Sequence, residues 1–317
     1  MTGPRRTTAV DGAVVVGLGV AGAATVLRRY RGRAQLPVAA ASFASWLALT
    51  APVATVVSAA RRRRAATVVG AVLTAVVVHD RRALIPSWRR RRPEPGALRV
   101  MQANLWLGRA DADAVVAAVA AHDVDLLCVQ ELTPECRDAL GDAGLDHHLP
   151  YRFVVAAPQG AGTGLWSRHP LHDAHALSGF TCAAVQARVQ FSDATAVTLL
   201  SVHPMPPYPY EPRLWLAELR RIRDAVDSCA GPVIVGGDLN AAHDHAAFRA
   251  LVGDGLVDAG AASRSGPLPT YPAHKRWIPP LIGIDHVLLR GVRAIGVVRV
   301  RVPGSDHRAV VATVRFE

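Results

Sequence analysis

The first third of the chain alternates uncharged apolar runs with clusters of arginine. The runs cover residues 12–27, 34–60 and 65–78. None of them repeats a polar position every 3.6 residues, as a helix at the surface of a soluble domain would. A bilayer span needs about 20 apolar residues, with a lower limit near 17, so the second run is long enough and the other two are marginal. The pattern predicts two or three transmembrane helices flanked by arginine.

Two other interpretations of this segment remain open. The runs could be buried Ala/Val-rich helices of a soluble domain, or the first run after Arg5-Arg6 could be a signal peptide of the twin-arginine kind. A cleaved signal would not be followed by two more apolar runs with arginine clusters of their own, so we expect a retained multi-pass anchor in the plasma membrane. With three spans, ten arginines fall on the side of the C-terminal region and six on the other. This weakly favours a cytoplasmic location for that region, and losing one span would change the topology.

From residue 97 the pattern changes to short apolar runs separated by turns, with two helical stretches. Strands are predicted at 98–105, 125–130, 151–157, 164–167, 184–191, 196–203, 233–236, 284–289, 294–302 and 309–316, and helices at 111–122 and 211–228. In the second helix the expected buried positions are Leu214, Leu216, Leu219, Ile222 and Val226. The many strands predict an α+β fold, in which packed sheets form a sandwich with helices outside.

Charge divides the chain at the same place. Residues 1–95 carry 16 arginines against three acidic residues, a net charge of +13, whereas residues 96–317 carry 20 basic and 22 acidic side chains, a net charge of −2. The overall charge of +11 therefore reflects membrane topology rather than a nucleic-acid footprint. We predict a membrane anchor at 1–95 and a catalytic domain at 96–317.

Polar residues follow the apolar strands of the second region at the points where the strands end. They are Asn104, Glu131, His203, Asp238, Asn240, Asp285, Asp306 and His307. Each alone could be a turn or cap residue. Strand ends meet at the rim of a sheet, so the whole set predicts one cleft.

The stretches MQANLW, LLCVQE, GTGLWSRHPL, LLSVHPMPP, VIVGGDLNA, IDHVLL and GSDHRAVV follow one another between residues 98 and 317. In this order they resemble the endonuclease/exonuclease/phosphatase superfamily, the DNase I-like metal-dependent phosphoesterases. The resemblance implies a four-layered α/β sandwich with the active site at the rim of two sheets. It also implies hydrolysis of a phosphoester by metal-assisted attack of water.

The resemblance assigns roles residue by residue. Glu131 corresponds to the principal metal ligand, with Asn104 beside it and Asp306 completing an oxygen-rich shell. Such a shell suits Mg²⁺, with Mn²⁺ as the alternative, better than zinc. The catalytic group comprises Asp238 for the attacking water, Asn240 for the phosphate, His307 with Asp285 as its carboxylate partner, and His203 as phosphate contact or general acid. No organic cofactor is expected.

The other histidines near these motifs receive structural interpretations. His243 and His245 are two residues apart, but they stand in a loop that leads into a helix, so we do not expect them to bind metal. His286, next to Asp285, is expected to pack rather than to react.

The substrate remains open at this stage. Two loops, 203–210 and 270–277, contain prolines, aromatic side chains and Lys275-Arg276, and they fit either a phosphate clamp or a loop stiffened by proline. We expect a phosphodiester substrate, which could be nucleic acid, a lipid headgroup or a small molecule. We also expect contact with membrane lipids, and no protein partner is predicted. The alternative is a catalytically silent membrane scaffold that binds a phosphorylated partner.

Overall fold

The computed structural model describes residues 9–87, 96–192 and 195–316. These residues form two compact units. The first is helical and extends to Arg82, with Asp244–Ala246 added to it. The second comprises Ala83–His243 and the residues from Ala247 onwards.

Within its described residues the helical unit contains five α-helices with small residues where they pack. Their bounds are α1 (Ala9–Arg29), α2 (Gln35–Ala41), α3 (Ala44–Ala48), α4 (Thr50–Ala60) and α5 (Arg64–Asp80). At Gly70 of α5 an added Cβ would lie 2.4 Å from the Oγ1 atom of Thr55, which requires glycine at this crossing of α4 and α5. The Thr50 hydroxyl donates a hydrogen bond to the carbonyl of Gly17, which joins α4 to α1.

The expectation of two or three transmembrane helices, and with it the multi-pass location, is not supported. Among the described residues only α1, with 21 residues, is long and apolar enough by itself to cross a membrane. The second apolar run breaks near Phe43, whose backbone is not helical. Its two parts are long enough to cross a membrane only if they are taken together, and they are bent by 65° relative to each other. The third run forms the 17-residue α5, which is short for a span. Arg5, Arg6, Arg89–Arg92 and the predicted boundary at residue 95 lie outside the described residues.

The second unit contains two mixed six-stranded sheets, which confirms the predicted α+β sandwich. Its strands are β1 (Leu98–Asn104), β2 (Leu126–Gln130), β3 (Tyr151–Val155), β4 (Thr163–Ser167), β5 (Leu171–Ala176), β6 (Val185–Ser192), β7 (Thr195–Val202), β8 (Val233–Asp238), β9 (Val257–Asp258), β10 (Asp285–Arg290), β11 (Val292–Arg301) and β12 (Arg308–Phe316). The strand orders are β11-β12-β1-β2-β4-β3 and β5-β6-β7-β8-β10-β9. Only the β1–β2 and β7–β8 pairs are parallel among the described ladders.

The helices of this unit are α6 (Ala112–Ala121), α7 (Pro134–Asp142), α8 (Leu145–His148), α9 (Pro212–Ser228), α10 (Ala246–Leu251) and α11 (Ala259–Ser263). The Asp111 carboxylate caps α6 by accepting a hydrogen bond from the Ala114 amide. The sequence pattern did not reveal α7, α8, α10, α11 or the strands β5 and β9.

The central strands are apolar on both faces because each face meets a different core. In β1, Val100 lies in the core between the two sheets, whereas Met101 lies in the core under α6 and α7. Leu126 and Leu127 of β2 divide in the same way. The sheets approach closely at Gly236, where an added Cβ would lie 2.6 Å from the Sγ atom of Cys128.

The buried face of α9 differs from the prediction. Leu219, Ile222 and Val226 are buried as expected, but Trp215 and Glu218 replace Leu214 and Leu216. The Trp215 indole donates a hydrogen bond to the carbonyl of Leu239. Glu218 accepts hydrogen bonds from the Thr181 amide and hydroxyl and from the Met205 amide, so its burial is compensated.

Candidate active site

Strand directions bring the predicted polar residues to one edge of the two sheets. β1 and β2 run parallel with Asn104 opposite Gln130, so Glu131 follows at the same level. β8 ends at Asp238 opposite Asp285, the first residue of the antiparallel β10. β12 is antiparallel to β1, which places the residues before Arg308 at the same edge. All eight predicted residues therefore lie around this edge.

Asn104 holds two carboxylates together. Its Nδ2 atom donates to Glu131 Oε1 at 2.9 Å and to Asp238 Oδ2 at 3.0 Å. Its Oδ1 atom accepts from the Trp106 amide at 2.9 Å, which fixes the orientation of the side-chain amide. In this arrangement Asn104 presents its nitrogen to the two carboxylates and its oxygen to the Trp106 amide, and its role as a metal ligand stays a prediction.

Several left-handed residues surround these carboxylates. Trp106, Leu107, Glu131 and Asn240 all have positive φ angles, between 47° and 56°. The turn through Leu107 brings its amide within 2.6 Å of Glu131 Oε2. Non-glycine residues in this region cost about 1–3 kcal/mol each and persist where surrounding contacts enforce them. The backbone around these carboxylates is therefore held in an unfavourable conformation by the surrounding contacts.

His307 forms a buried dyad with Asp285. Its Nδ1 atom lies 2.8 Å from Asp285 Oδ2, and the other carboxylate oxygen accepts from Gln102 Nε2 at 3.0 Å. The Nε2 atom of His307 faces Asp238 Oδ2 at 3.6 Å and Asp306 Oδ1 at 3.9 Å. The Ser305 hydroxyl donates to the carbonyl of Asn104 and accepts from the His307 amide, which fixes this turn against β1.

A second imidazole faces the same carboxylate. His203 Nε2 lies 3.7 Å from Asp238 Oδ2 and 3.9 Å from Glu131 Oε1. Its buried Nδ1 atom lies beside the Cys182 thiol but makes no hydrogen bond of normal geometry among the described residues. Asp238 Oδ2 therefore lies between His203, His307 and Asn104.

Burial and neighbouring charges shift the pKa values of these groups. Burial would lower the pKa of His307, but the carboxylates of Asp285 and Asp238 outweigh it and raise the pKa to about 10. Burial would also lower the pKa of His203. The Cys182 thiol and the Asp238 carboxylate outweigh this effect and raise the pKa of His203 to about 9. Both imidazoles are thus cationic at neutral pH in the metal-free protein. Burial also raises the pKa of Asp238 above its ordinary value.

The carboxylates that remain fit a hard divalent cation. Burial raises the pKa of Asp306 to about 6, and the nearby Glu131 carboxylate acts in the same direction. Asp306 Oδ1 is buried without a hydrogen-bond partner among the described residues. Mg²⁺ and Mn²⁺ prefer carboxylate oxygen ligands, and a buried carboxylate oxygen without a hydrogen-bond partner is suited to bind such a cation. Glu131 and Asp306, which the sequence predicts as metal ligands together with Asn104, could hold such a cation.

Further residues support the site, and of these sequence reasoning missed Gln102 and Ser201. Gln102 orients Asp285 and donates to Gln130 Oε1, and the Gln130 amide donates to the Ser201 hydroxyl. Tyr271 stacks near His307, with 4.9 Å between ring centroids. Isolated polar residues inside otherwise apolar strands, as in VMQAN, were the available indication for the glutamines.

Aromatic and cationic side chains lie on two segments that also carry residues of the site, 104–109 and 270–277. The Trp106 ring lies 5.0 Å from the His274 ring and 4.9 Å from the Arg109 guanidinium. Trp277 is 86% exposed, with the Arg276 guanidinium 5.2 Å from its ring. Such groups can stack on a planar ligand or bind anionic groups near the site.

Comparisons with known proteins agree with this architecture. The model of the Endonuclease/Exonuclease/phosphatase family matches residues 101–307. A humanised D. rerio TDP2 with 14 mutations is 16% identical with a TM-score of 0.60, covering 69% of this chain and 99% of its own. D. rerio TDP2 complexed with single-strand DNA product is also 16% identical, with a TM-score of 0.58 and coverages of 69% and 99%. A Bacteroides thetaiotaomicron mannosyl-6-phosphatase is 16% identical, with a TM-score of 0.54 and coverages of 69% and 100%. No curated protein matches the chain.

Proposed function

Because the chain belongs to the endonuclease/exonuclease/phosphatase family, whose members are hydrolytic phosphoesterases, we propose that it is a metal-dependent phosphodiesterase. The observation that supports this most directly is the environment of Asp238. Its Oδ2 atom is surrounded by Asn104 Nδ2 at 3.0 Å, His307 Nε2 at 3.6 Å and His203 Nε2 at 3.7 Å. One carboxylate between two imidazoles suits the activation of water beside an anionic phosphate.

The roles follow from charge. Asp238 accepts a proton from the attacking water, and its raised pKa makes it a better base than an ordinary aspartate. His307 and His203 are cations that face the phosphate, so they stabilise its developing negative charge, and one of them protonates the leaving oxygen. Asp285 holds His307 in one tautomer, and Asn240 contacts the phosphate. Mg²⁺ or Mn²⁺ bound by Glu131 and Asp306 would neutralise charge on the phosphoryl oxygens.

The aromatic and cationic surroundings favour a substrate with a planar group next to the scissile phosphate. The Tyr271 ring lies 4.9 Å from the His307 ring, and the Trp106 backbone amide bonds to Asn104, so both aromatic residues adjoin the catalytic group. The TDP2 neighbour is described with a single-strand DNA product, which agrees with this preference. We therefore place single-stranded nucleic acid first among the phosphodiesters and keep lipid and small-molecule phosphodiesters as alternatives.

The test is hydrolysis by the purified full-length protein. Bis(p-nitrophenyl) phosphate, a diester, should be cleaved with Mg²⁺ or Mn²⁺ and not with EDTA, and end-labelled single-stranded DNA should be cleaved faster than a sphingomyelin-type lipid. Glu131→Gln and His307→Ala are the matched inactive controls. Binding of phosphorylated ligands without turnover of any ester would instead support the silent scaffold.

We further propose that α1 attaches the enzyme to a membrane. Only 17% of its most apolar window is buried, which is unlike a core helix of a soluble protein. Val15, Val16 and Val26 are among its exposed side chains. A signal sequence, which has a similar length and composition, is the alternative for α1. Retention of the intact chain in membranes after alkaline carbonate washing would support the anchor, and release of a shortened soluble chain would contradict it.

A further inference from the structure

A second buried histidine–carboxylate pair lies next to the catalytic one. Asp285 and His286 are consecutive in β10, and successive side chains of a strand point to opposite faces. Asp285 bonds to His307, whereas His286 Nδ1 lies 2.9 Å from Asp258 Oδ2. Both His286 and Asp258 are buried. The catalytic group described above does not include this second pair.

Both ring nitrogens of His286 meet hydrogen-bond acceptors. Nδ1 faces the Asp258 carboxylate, and Nε2 lies 2.8 Å from the carbonyl oxygen of Ala241. A neutral imidazole has only one N–H, so satisfying both acceptors requires the imidazolium. Asp258 supplies the opposite charge, and its Oδ1 atom accepts from the Ala261 amide at the start of α11. His286 and Asp258 thus form a buried ion pair, and the imidazolium also donates a hydrogen bond to the backbone carbonyl of Ala241.

That carbonyl belongs to the segment that carries the catalytic aspartate and asparagine. The Leu239 amide donates to Ile284 O, and the Leu239 carbonyl accepts from Trp215. The Asn240 side chain donates to Pro204 O. The bond from His286 to Ala241 is the charge-assisted member of this set, and such bonds are about twice as strong as neutral ones.

The segment needs this restraint because Asn240 is in the left-handed region, with φ of 49°. Its amide donates back to Asp238 Oδ1 at 2.9 Å, so the turn also orients the proposed base. A released turn would move Asp238 and Asn240 together.

We propose that His286, held by Asp258, is a positioning residue that fixes the Asp238–Asn240 turn through the carbonyl of Ala241. This role in catalysis rests on the proposed function. A metal is the competing explanation, because His243, Asp258 and His286 offer ligand atoms within 4.8 Å of one another. The two explanations differ in what occupies the space between Nδ1 and Asp258, a proton or a cation. The ring proton can therefore be measured directly.

Two substitutions of His286 distinguish the contributions of its two ring nitrogens. Glutamine places its amide nitrogen near the position of Nε2 and can still donate to Ala241, whereas asparagine places its amide near Nδ1 and can reach only Asp258. We expect His286→Asn to lower kcat by about 10- to 100-fold with KM changed less than about threefold, as for other orienting partners of catalytic groups. His286→Gln should keep kcat within about threefold. His243→Asn is the comparison variant, because it removes the other imidazole beside Asp258, 3.4 Å away, and leaves the bond from His286 to Ala241 in place.

A readout independent of activity keeps the inference testable if the enzyme assay finds no substrate. In EDTA-treated wild-type protein, nitrogen-15 NMR should show two protonated ring nitrogens for His286 at neutral pH, and His286→Asn should shift the amide signals of Asn240 and Ala241 more than His286→Gln does. Equal kcat and equal amide shifts in the two variants would overturn the positioning role. Loss of the Nδ1 proton signal on adding stoichiometric Zn²⁺, with recovery by EDTA, would replace it with a metal site. Absence of any hydrolysis by wild type would count against the proposed function alone.

Discussion

Replacing Asp285 by asparagine tests the catalytic dyad with almost no change in shape. The outcome depends on Gln102, whose Nε2 atom donates to Asp285 Oδ1 at 3.0 Å. The oxygen of the new amide must stay toward Gln102, so its NH₂ group points at His307 Nδ1, which lies 2.8 Å from the present carboxylate. His307 must then accept at Nδ1 and carry its proton on Nε2. The histidine is neutral and in the wrong tautomer.

The size of the effect follows from what is lost. Asp285 is the first of the carboxylates that raise the pKa of His307 to about 10 against the effect of burial, so without it the imidazole is no longer a fixed cation at neutral pH. Acid–base groups contribute about 10²- to 10⁴-fold to rates, and we expect kcat of Asp285→Asn to fall within this range, or about 3–5 kcal/mol. KM should change less than kcat, because Asp285 itself contacts neither substrate nor metal in the proposed arrangement.

The assay is hydrolysis of bis(p-nitrophenyl) phosphate at saturating Mn²⁺ between about pH 6 and pH 10, with the melting temperature of each protein measured in parallel. Adding Gln102→Met to Asp285→Asn lets the amide turn its oxygen to His307, so the double variant should regain part of the lost kcat. A single variant with kcat within threefold of wild type would refute the dyad, and a double variant no more active than the single one would refute the role given to Gln102.

Three further predictions concern metal, pH and packing. Glu131→Gln should weaken activation by Mg²⁺ by at least tenfold in a metal titration, because a carboxylate ligand is lost while the hydrogen bond from Asn104 can remain; an unchanged titration would exclude Glu131 as a ligand. In metal-free protein the pKa values of about 10 for His307 and about 9 for His203 lie above the ordinary 6.5, so their stabilisation is complete below about pH 6.5 and is lost as pH rises through 9 to 10. The melting temperature in EDTA should therefore fall over this interval, and less so in Asp285→Asn. Gly236→Ala should destabilise the protein by about 1–3 kcal/mol in urea unfolding because its Cβ would meet Cys128, whereas Gly141→Ala in α7, with nothing within 4 Å, should be neutral or stabilising; equal effects would contradict the close sheet packing.

The sequence predicted the strands that carry the chemistry because their apolar runs and polar ends are local features. Asn104, Glu131, Asp238 and His307 could be proposed together for that reason, and the structure brings them to one edge. Their hydrogen-bond roles were not predictable. Asn104 was expected beside the metal, and only the Trp106 amide, which holds its oxygen, shows that the nitrogen faces the carboxylates.

Long-range partners account for the other differences. Glu218 is buried in α9 because Thr181 and Met205 satisfy it, and no pattern within the helix indicates those partners. His286 was expected merely to pack, since neither Asp258 nor the carbonyl of Ala241 is near it in the chain. His243 and His245 lie beside different groups, Asp258 and the carbonyl of Val38.

The alternation of Asp285 and His286 along β10 has a consequence for how this enzyme can change over evolution. Inserting or deleting one residue within the strand would exchange the two faces, so that Asp285 and His286 would both lose their partners at once. The preceding loop, residues 264–284, contains no acidic residues and no regular strands or helices in the structure. Its length can therefore vary without changing which face of β10 each of the two side chains occupies. Natural variants are therefore expected to differ in the length of this loop, which includes Trp277, while the distance in sequence between the two strand residues stays fixed. Substrate preference and catalytic geometry can then diversify independently.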